Sequence, residues 1–269
     1  MRQSFLYRGN QVSYSILGNG VESIMLIHGF GEDGEIWLHQ IEELSKQYTI
    51  IIPDLPGSGL SAYNGALESI EDFAEVLKAL MDDANLNETV MLGHSMGGYI
   101  TLAFAEKYAE KLKGFGLIHS TAFADSEEKK GVRLRGIEAI EQYGAFAFLK
   151  NTIPNLFGAE FKMDHKQQVD ELIARSAQFS ISALRQYYTI MMQRKDRCAV
   201  LQKSSIPILF VIGSEDIASP PTDVFKQVHL PHNSQVVFYE STGHMGMWEQ
   251  PMELLKTIES FMLNIAVLP

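Results

Sequence analysis

Four short runs constrain this chain more than anything else in it: SIMLIHGF (Ser23–Phe30), YTIIIPDLPG (Tyr48–Gly57), TVMLGHS (Thr89–Ser95) and LKGFGLIHS (Leu112–Ser120). Each is rich in apolar residues and breaks into Gly, Pro or polar residues at its end. A strand with one wet face alternates apolar and polar side chains, whereas an unbroken apolar run belongs to a strand covered on both faces. Helical spacing recurs between the runs, over about Ile36–Leu44, Ile70–Met81 and Gly97–Tyr108. Strands alternating with helices of this length predict right-handed crossovers and a mostly parallel sheet. Ahead of them, Phe5–Arg8 and Val12–Leu17 alternate and read as an antiparallel hairpin turning at Gly9-Asn10.

The rhythm lapses after Ser120. From Thr121 to about Ser204 no run reads as a strand, and apolar and aromatic residues fall at helical spacing instead. It resumes with IPILFVIGSED (Ile206–Asp216), a helix near Thr222–Val228, SQVVFYESTGH (Ser234–His244) and a last helix after Pro251. The expected organisation is one α/β domain made of residues 1–120 and 205–269, carrying an all-helical insertion at 121–204. A chain of 269 residues, 46% hydrophobic and 20% charged, can bury such a sheet.

The net charge of −11 disfavours nucleic acid and anionic lipid as partners. The best basic patch, Lys129, Lys130, Arg133 and Arg135, directly follows Glu127 and Glu128 and reads as a solvated helix face. A single cysteine, Cys198, allows no intrachain disulfide and no multi-cysteine metal site. The opening twenty residues are polar and strand-like, without the apolar core of a signal peptide, and no stretch is apolar enough to span a membrane. A cytoplasmic protein without membrane insertion is expected.

Within VMLGHSMGGYI (Val90–Ile100), glycines crowd Ser95 where a strand gives way to a helix. Gly-x-Ser-x-Gly alone is a weak signal, but at a strand–helix junction it is what a nucleophile elbow requires. A serine nucleophile needs a base oriented by an acid, in the chain order serine, acid, histidine on this kind of sheet. His229 and His232 flank Pro231 in a loop, while His244 stands just past the last strand, where parallel-sheet sites gather. His244 is the candidate base. Glu215 and Asp216 stand side by side beyond the preceding strand, and either can face the site; Asp216, further past the strand end, is favoured. Asp54 precedes the serine and suits a turn. Two backbone N–H groups, of Phe30 in HGFG and of Met96 after the serine, are the candidate oxyanion hole. His28 is expected to steady its own loop, and His94 to be a packed neighbour.

Together HGFG, DLPGSGLS, GHSMGG, GSED and the GH at His244, in that order from about Glu22 to Asn264, resemble the α/β-hydrolase family. The resemblance implies an eight-stranded, mostly parallel sheet, with the helical insertion as a cap over the active site. It also implies a serine hydrolase for a small or medium, largely apolar carboxylic ester, working through an acyl-enzyme with no metal or organic cofactor. Serine at the elbow argues against the aspartate-dependent branches that open epoxides or remove halides. Thioesterases, lactonases, carbon–carbon bond hydrolases and perhydrolases share the machinery, and a slow or non-turning ligand sensor is the rival of another class. Phe146, Phe157, Tyr187 and Met191 are the cap side chains expected to meet substrate, since adaptable Met and aromatic surfaces suit an apolar cleft.

Overall fold

The computed structural model describes residues 1–266. Its strands are β1 (Arg2–Tyr7), β2 (Asn10–Leu17), β3 (Ser23–Ile27), β4 (Thr49–Pro53), β5 (Thr89–His94), β6 (Leu112–Ile118), β7 (Ile208–Gly213) and β8 (Ser234–Tyr239). They form one sheet in the order β1-β2-β4-β3-β5-β6-β7-β8. β2 is antiparallel to both neighbours, and every pairing from β4 to β8 is parallel. The unbroken apolar runs are the central strands: every residue of β3, β5 and β7 is buried. The edge strands β1 and β8 alternate or lie open instead.

Helices α1 (Leu38–Leu44), α2 (Ile70–Asp83) and α3 (Met96–Lys107) follow β3, β4 and β5. α2 shows why the local sequence folds as it does. Ser69 caps it, its hydroxyl accepting the Asp72 N–H at 3.1 Å, and Glu71 and Asp72 sit in the first turn, where the helix dipole favours negative charge. Its buried stripe of Ile70, Phe73, Val76, Leu77, Leu80 and Met81 faces the core. Fully burying a side chain the size of Phe73 contributes about 1.5–3 kcal/mol.

Between β6 and β7 lie α4 (Glu127–Tyr143), α5 (Ala145–Thr152), α6 (Ala159–Asp164), α7 (Lys166–Arg175), α8 (Ile181–Gln193) and α9 (Cys198–Lys203), with no strand. The Arg197 N–H donates to the Ala122 carbonyl at 2.8 Å, so the chain leaves the sheet layer and returns to it at one place. The last helices are α10 (Pro221–Val224), α11 (Gly246–Glu249) and α12 (Pro251–Ala266).

Two local expectations shift. The hairpin turns at Arg8-Gly9, both with positive φ (47° and 79°), and Asn10 already pairs with Tyr7. Such a turn matches the twist of the strands it joins, which lets a non-glycine residue take the left-handed position. The helix expected over Thr222–Val228 is the single turn of α10. Just past it, the fully buried Gln227 side chain bonds the Ala122 N–H and the Thr121 hydroxyl, both at 2.6 Å, anchoring the segment to the end of β6.

Candidate active site

From β3 the sheet grows first toward β4 and then, on the other side, through β5. The loops leaving the carboxyl ends of β3 and β5 therefore diverge, and open α/β sheets bind ligands in the crevice so formed. HGFG leaves β3 there, and Ser95 leaves β5 beside it.

Ser95 has φ 52° and ψ −116°, a backbone conformation that costs roughly 1–3 kcal/mol for a non-glycine residue. The surrounding glycines make it attainable. A Cβ on Gly93 would stand 2.3 Å from the Gly97 carbonyl oxygen, and one on Gly97 would stand 2.6 Å from that of Ile27. The turn is held at Ser95 itself, whose N–H donates to the Ile118 carbonyl at 3.0 Å and whose carbonyl accepts the Ser120 hydroxyl at 2.7 Å.

His244, past β8, and Asp216, past β7, meet. Nδ1 of His244 lies 2.9 and 2.8 Å from the two carboxylate oxygens, and both residues are buried. Oδ1 of Asp216 also accepts the N–H groups of Ala218 (2.9 Å) and Ser219 (2.8 Å). Burial pushes the Asp216 carboxyl up, but the neighbouring His244 and His119 outweigh it and hold it well below the usual range. The His244 imidazole moves down, chiefly through burial, against the pull of Asp216. It is therefore neutral at pH 7, with Nδ1–H directed at the carboxylate and Nε2 left to accept. Glu215, the adjacent acid, is exposed and accepts the Ala159 N–H at 2.7 Å, at the start of α6.

Ser95, His244 and Phe30 line one cavity of about 510 Å³. Among the described residues, neither the Phe30 nor the Met96 N–H is engaged by another protein atom, leaving two donors beside the serine. His28 accepts the Leu55 N–H at Nε2 (2.9 Å) and turns Nδ1 to the Gly29 carbonyl (2.9 Å), tying the HGFG loop to the end of β4.

Residues 22–158 of the chain match the α/β hydrolase fold family. The chain belongs to that family. The α/β hydrolase spans 90% of itself and 64% of a relative from Cupriavidus necator, the dihydrolipoyllysine-residue acetyltransferase component of an acetoin cleaving system, at 26% identity. It is 26% identical to the pimeloyl-[acyl-carrier protein] methyl ester esterase of Aeromonas hydrophila, over 93% of this chain and 98% of that one. A thermophilic esterase from Thermogutta terrifontis superposes with a TM-score of 0.91 and 28% identity, covering 98% and 99% of the two chains. Among the described residues of this hydrolase, no helix is long and apolar enough to cross a membrane.

Three groups around the site have no counterpart in the sequence reading. Glu32 forms a buried pair with His94, Oε2 to Nδ1 at 2.9 Å, and also accepts the Gly29 N–H at 2.7 Å. His94 Nε2 faces the His244 carbonyl at 3.0 Å. Both ring nitrogens thus point at acceptors, so both carry hydrogens and His94 is a cation. Burial alone would push its pKa down, but Glu32 raises it above the ordinary value. A doubly donating histidine steadies its neighbours and takes no proton, consistent with a packed neighbour. Glu249 accepts the N–H groups of Gly243, Met245 and Gly158, clamping the loop on either side of His244. His119, at the end of β6, offers Nδ1 to Asp216 at 3.3 Å. His119, Asp216 and His244 bring ligand-type atoms within 4.8 Å of one another, and these atoms are engaged in hydrogen bonds among themselves. The signal for each was a lone polar residue, past a strand end for Glu32 and His119 and at the end of α11 for Glu249, indistinguishable in sequence from a turn or surface residue.

Of the four insertion side chains named from the sequence, the cavity takes one, Met191. Phe146 stands 42% exposed on the surface, and Phe157 is buried against Phe161. Tyr187 is fully buried one layer behind Phe30, its hydroxyl bonded to Ser58 (2.7 Å) and the Pro56 carbonyl (2.9 Å). Phe157 packs within the insertion and Tyr187 pins it to the sheet domain, while Phe146 stays on the outside. From the insertion, the apolar lining comes from Val132, Leu149, Ile153, Leu156, Tyr188 and Met191.

Proposed function

We propose that this α/β hydrolase is a serine esterase with Ser95 as nucleophile, His244 as base and Asp216 as the orienting acid. The single observation that carries the reading is a serine in elbow conformation sharing a cavity with a neutral histidine held by a buried carboxylate. His244 Nε2 takes the Ser95 hydroxyl proton as Oγ attacks the ester carbonyl. The Phe30 and Met96 N–H groups meet the oxygen that becomes negative, and the start of α3 adds its dipole. The tetrahedral intermediate collapses, the alcohol leaves with the proton from His244, and an acyl-enzyme remains. Water, deprotonated by His244, then attacks the acyl carbonyl; Ser95 regains its proton and the carboxylic acid departs.

Helices α4 to α8 form the cap in this reading. A cavity of about 510 Å³ with five aliphatic or thioether side chains from the insertion suits a small or medium acyl chain. Each methylene buried there contributes about 0.8 kcal/mol, or roughly fourfold in kcat/KM, until the space is full. Steady-state rates on p-nitrophenyl esters climb from acetate to an optimum at short or medium length and then fall, and Met191→Ala moves the optimum to a longer chain. A flat profile removes the cap from substrate selection, and a single slow turnover makes the protein a sensor.

The pH profile follows from the state of the base. Only neutral His244 accepts the serine proton, so kcat/KM rises with pH and levels off once the imidazole is deprotonated. Burial lowers that pKa, which puts the rising limb below the ordinary histidine value of 6.5 and the plateau at neutral pH. His94 shifts the other way, because Glu32 beside it favours its protonated form. A rate profile centred above pH 7 contradicts the assignment.

A further inference from the structure

The basic run of α4 does not lie on one solvated face. Lys130 pairs with Glu127 at 2.7 Å on the outside, and Arg135 is exposed. Lys129 and Arg133, one helical turn apart, line the cavity that holds Ser95 and His244. Neither charge is fully matched. The Lys129 ammonium donates to the Ala218 carbonyl at 2.7 Å and makes no ion pair among the described residues. Arg133 binds Asp125 through Nε (2.6 Å) and Nη2 (3.4 Å), but the same carboxylate also receives Nη1 of Arg194 at 2.7 Å. One anion thus serves two guanidiniums, and Nη1 of Arg133 is left without a protein acceptor among the described residues.

A third donor completes this wall. Tyr99, one turn along α3 from Ser95, lines the same cavity and is only 4% exposed. Its hydroxyl makes no hydrogen bond among the described residues, and the Arg194 guanidinium sits 3.9 Å from its ring centroid. Burial pushes the Tyr99 phenol up, yet Arg194, Lys129 and Arg133 together bring it below the ordinary value. The carboxylates that also border the cavity do not cancel it. Glu32 is held by His94, Asp223 by Lys226 at 2.9 Å, and Glu128 is exposed to solvent.

We propose that Lys129, Arg133 and Tyr99 form an oxyanion-binding subsite in the catalytic cavity, and that the substrate is an ester carrying a carboxylate or phosphate-type group remote from the bond cleaved. The proposal rests on Ser95 acting as an esterase nucleophile and narrows that reading. The substrate then has two polar ends, one at Ser95 and one at α4, with its apolar middle against Leu149, Ile153 and Met191. Charged donors in a half-enclosed site bind an oxyanion about twice as strongly as neutral ones, which is what such a ligand needs on leaving water.

The test compares p-nitrophenyl half-esters of the diacids from succinate to suberate with their methyl-capped neutral counterparts, and with ω-phosphonate analogues. At the best chain length the wild type favours the anionic ester in kcat/KM by about tenfold or more. Lys129→Met collapses that ratio, Tyr99→Phe lowers it, and Lys130→Met on the solvent face leaves it in place. Preference for the carboxylate or for the phosphonate identifies which oxyanion is read. A neutral ester favoured by the wild type, or a ratio indifferent to Lys129→Met, overturns the subsite. Failure of the esterase reading is visible separately, as absent turnover of the neutral esters. In that event calorimetry with adipate and with inorganic phosphate on Ser95→Ala protein still decides the subsite. Binding weakened about tenfold by Lys129→Met supports it, and binding that is absent or unaltered refutes it.

Discussion

Ser95→Ala lowers kcat for ester hydrolysis by about 10⁶-fold, the scale of losing the nucleophile from a serine–histidine pair. In the proposed mechanism the Ser95 Oγ is the atom that forms the acyl bond. Its backbone is bent into an uncommon conformation that throws the side chain past the end of β5, and it shares a cavity with His244 and with the free N–H of Phe30. Ser120, just past β6, already donates its hydroxyl to the Ser95 carbonyl. An organophosphonate therefore labels Ser95 in the wild type and nothing in the variant, which intact mass and peptide mapping read directly. Labelling at another residue, or persisting in Ser95→Ala, sinks the nucleophile assignment. Binding of a slowly hydrolysed ester is largely retained, because the cavity walls are untouched.

Asp216→Asn costs about 10⁴-fold in kcat, whereas Glu215→Gln changes it little. The two residues are neighbours in sequence with opposite surroundings. Asp216 is 3% exposed, offers both oxygens to Nδ1 of His244 and is itself fixed by two backbone N–H groups. An amide there turns an NH₂ toward Nδ1 or loses one acceptor, so the imidazole is held in the wrong tautomer. It also withdraws the charge that stabilises the imidazolium formed during attack. Glu215 is exposed and spends its carboxylate on the first N–H of α6, a stability contact worth about 0.5–2 kcal/mol at most. Rates of the two variants on one ester suffice to decide. The reverse ranking moves the acid by one residue; small losses in both remove the triad.

The parts of the molecule visible in the linear sequence share a physical cause. Strands buried on both faces must be continuously apolar, so β3, β5 and β7 announce themselves. A nucleophile elbow admits no Cβ at Gly93 or Gly97, so the turn leaves glycines in the chain. The order of serine, acid and histidine follows from the order of the strands that deliver them. All of these are local consequences of backbone geometry, and local geometry is written in local sequence.

Polar pairs and cavity walls are not local. Glu32 and His94 lie 62 residues apart and meet because β3 and β5 are neighbours in the sheet. Glu249 reaches back over the loop of His244 and across to Gly158, a contact that exists only once α11 has docked. The insertion shows the same division. Its helical character followed from spacing, but periodicity identifies the buried side of a helix without saying what covers it. Tyr187 is buried against protein and Met191 against the cavity, though both lie on the same helix, α8. On α4, charge run and helix were legible together, yet only the packing of that helix against α8 and α5 turned Lys129 and Arg133 inward and Lys130 outward. Sequence determined the sheet, the elbow and the three residues brought to its edge, because each is imposed by backbone sterics and burial within a short segment. Tertiary structure decided what surrounds them, because a side chain's charge state, partner and access to substrate depend on atoms supplied by distant parts of the chain.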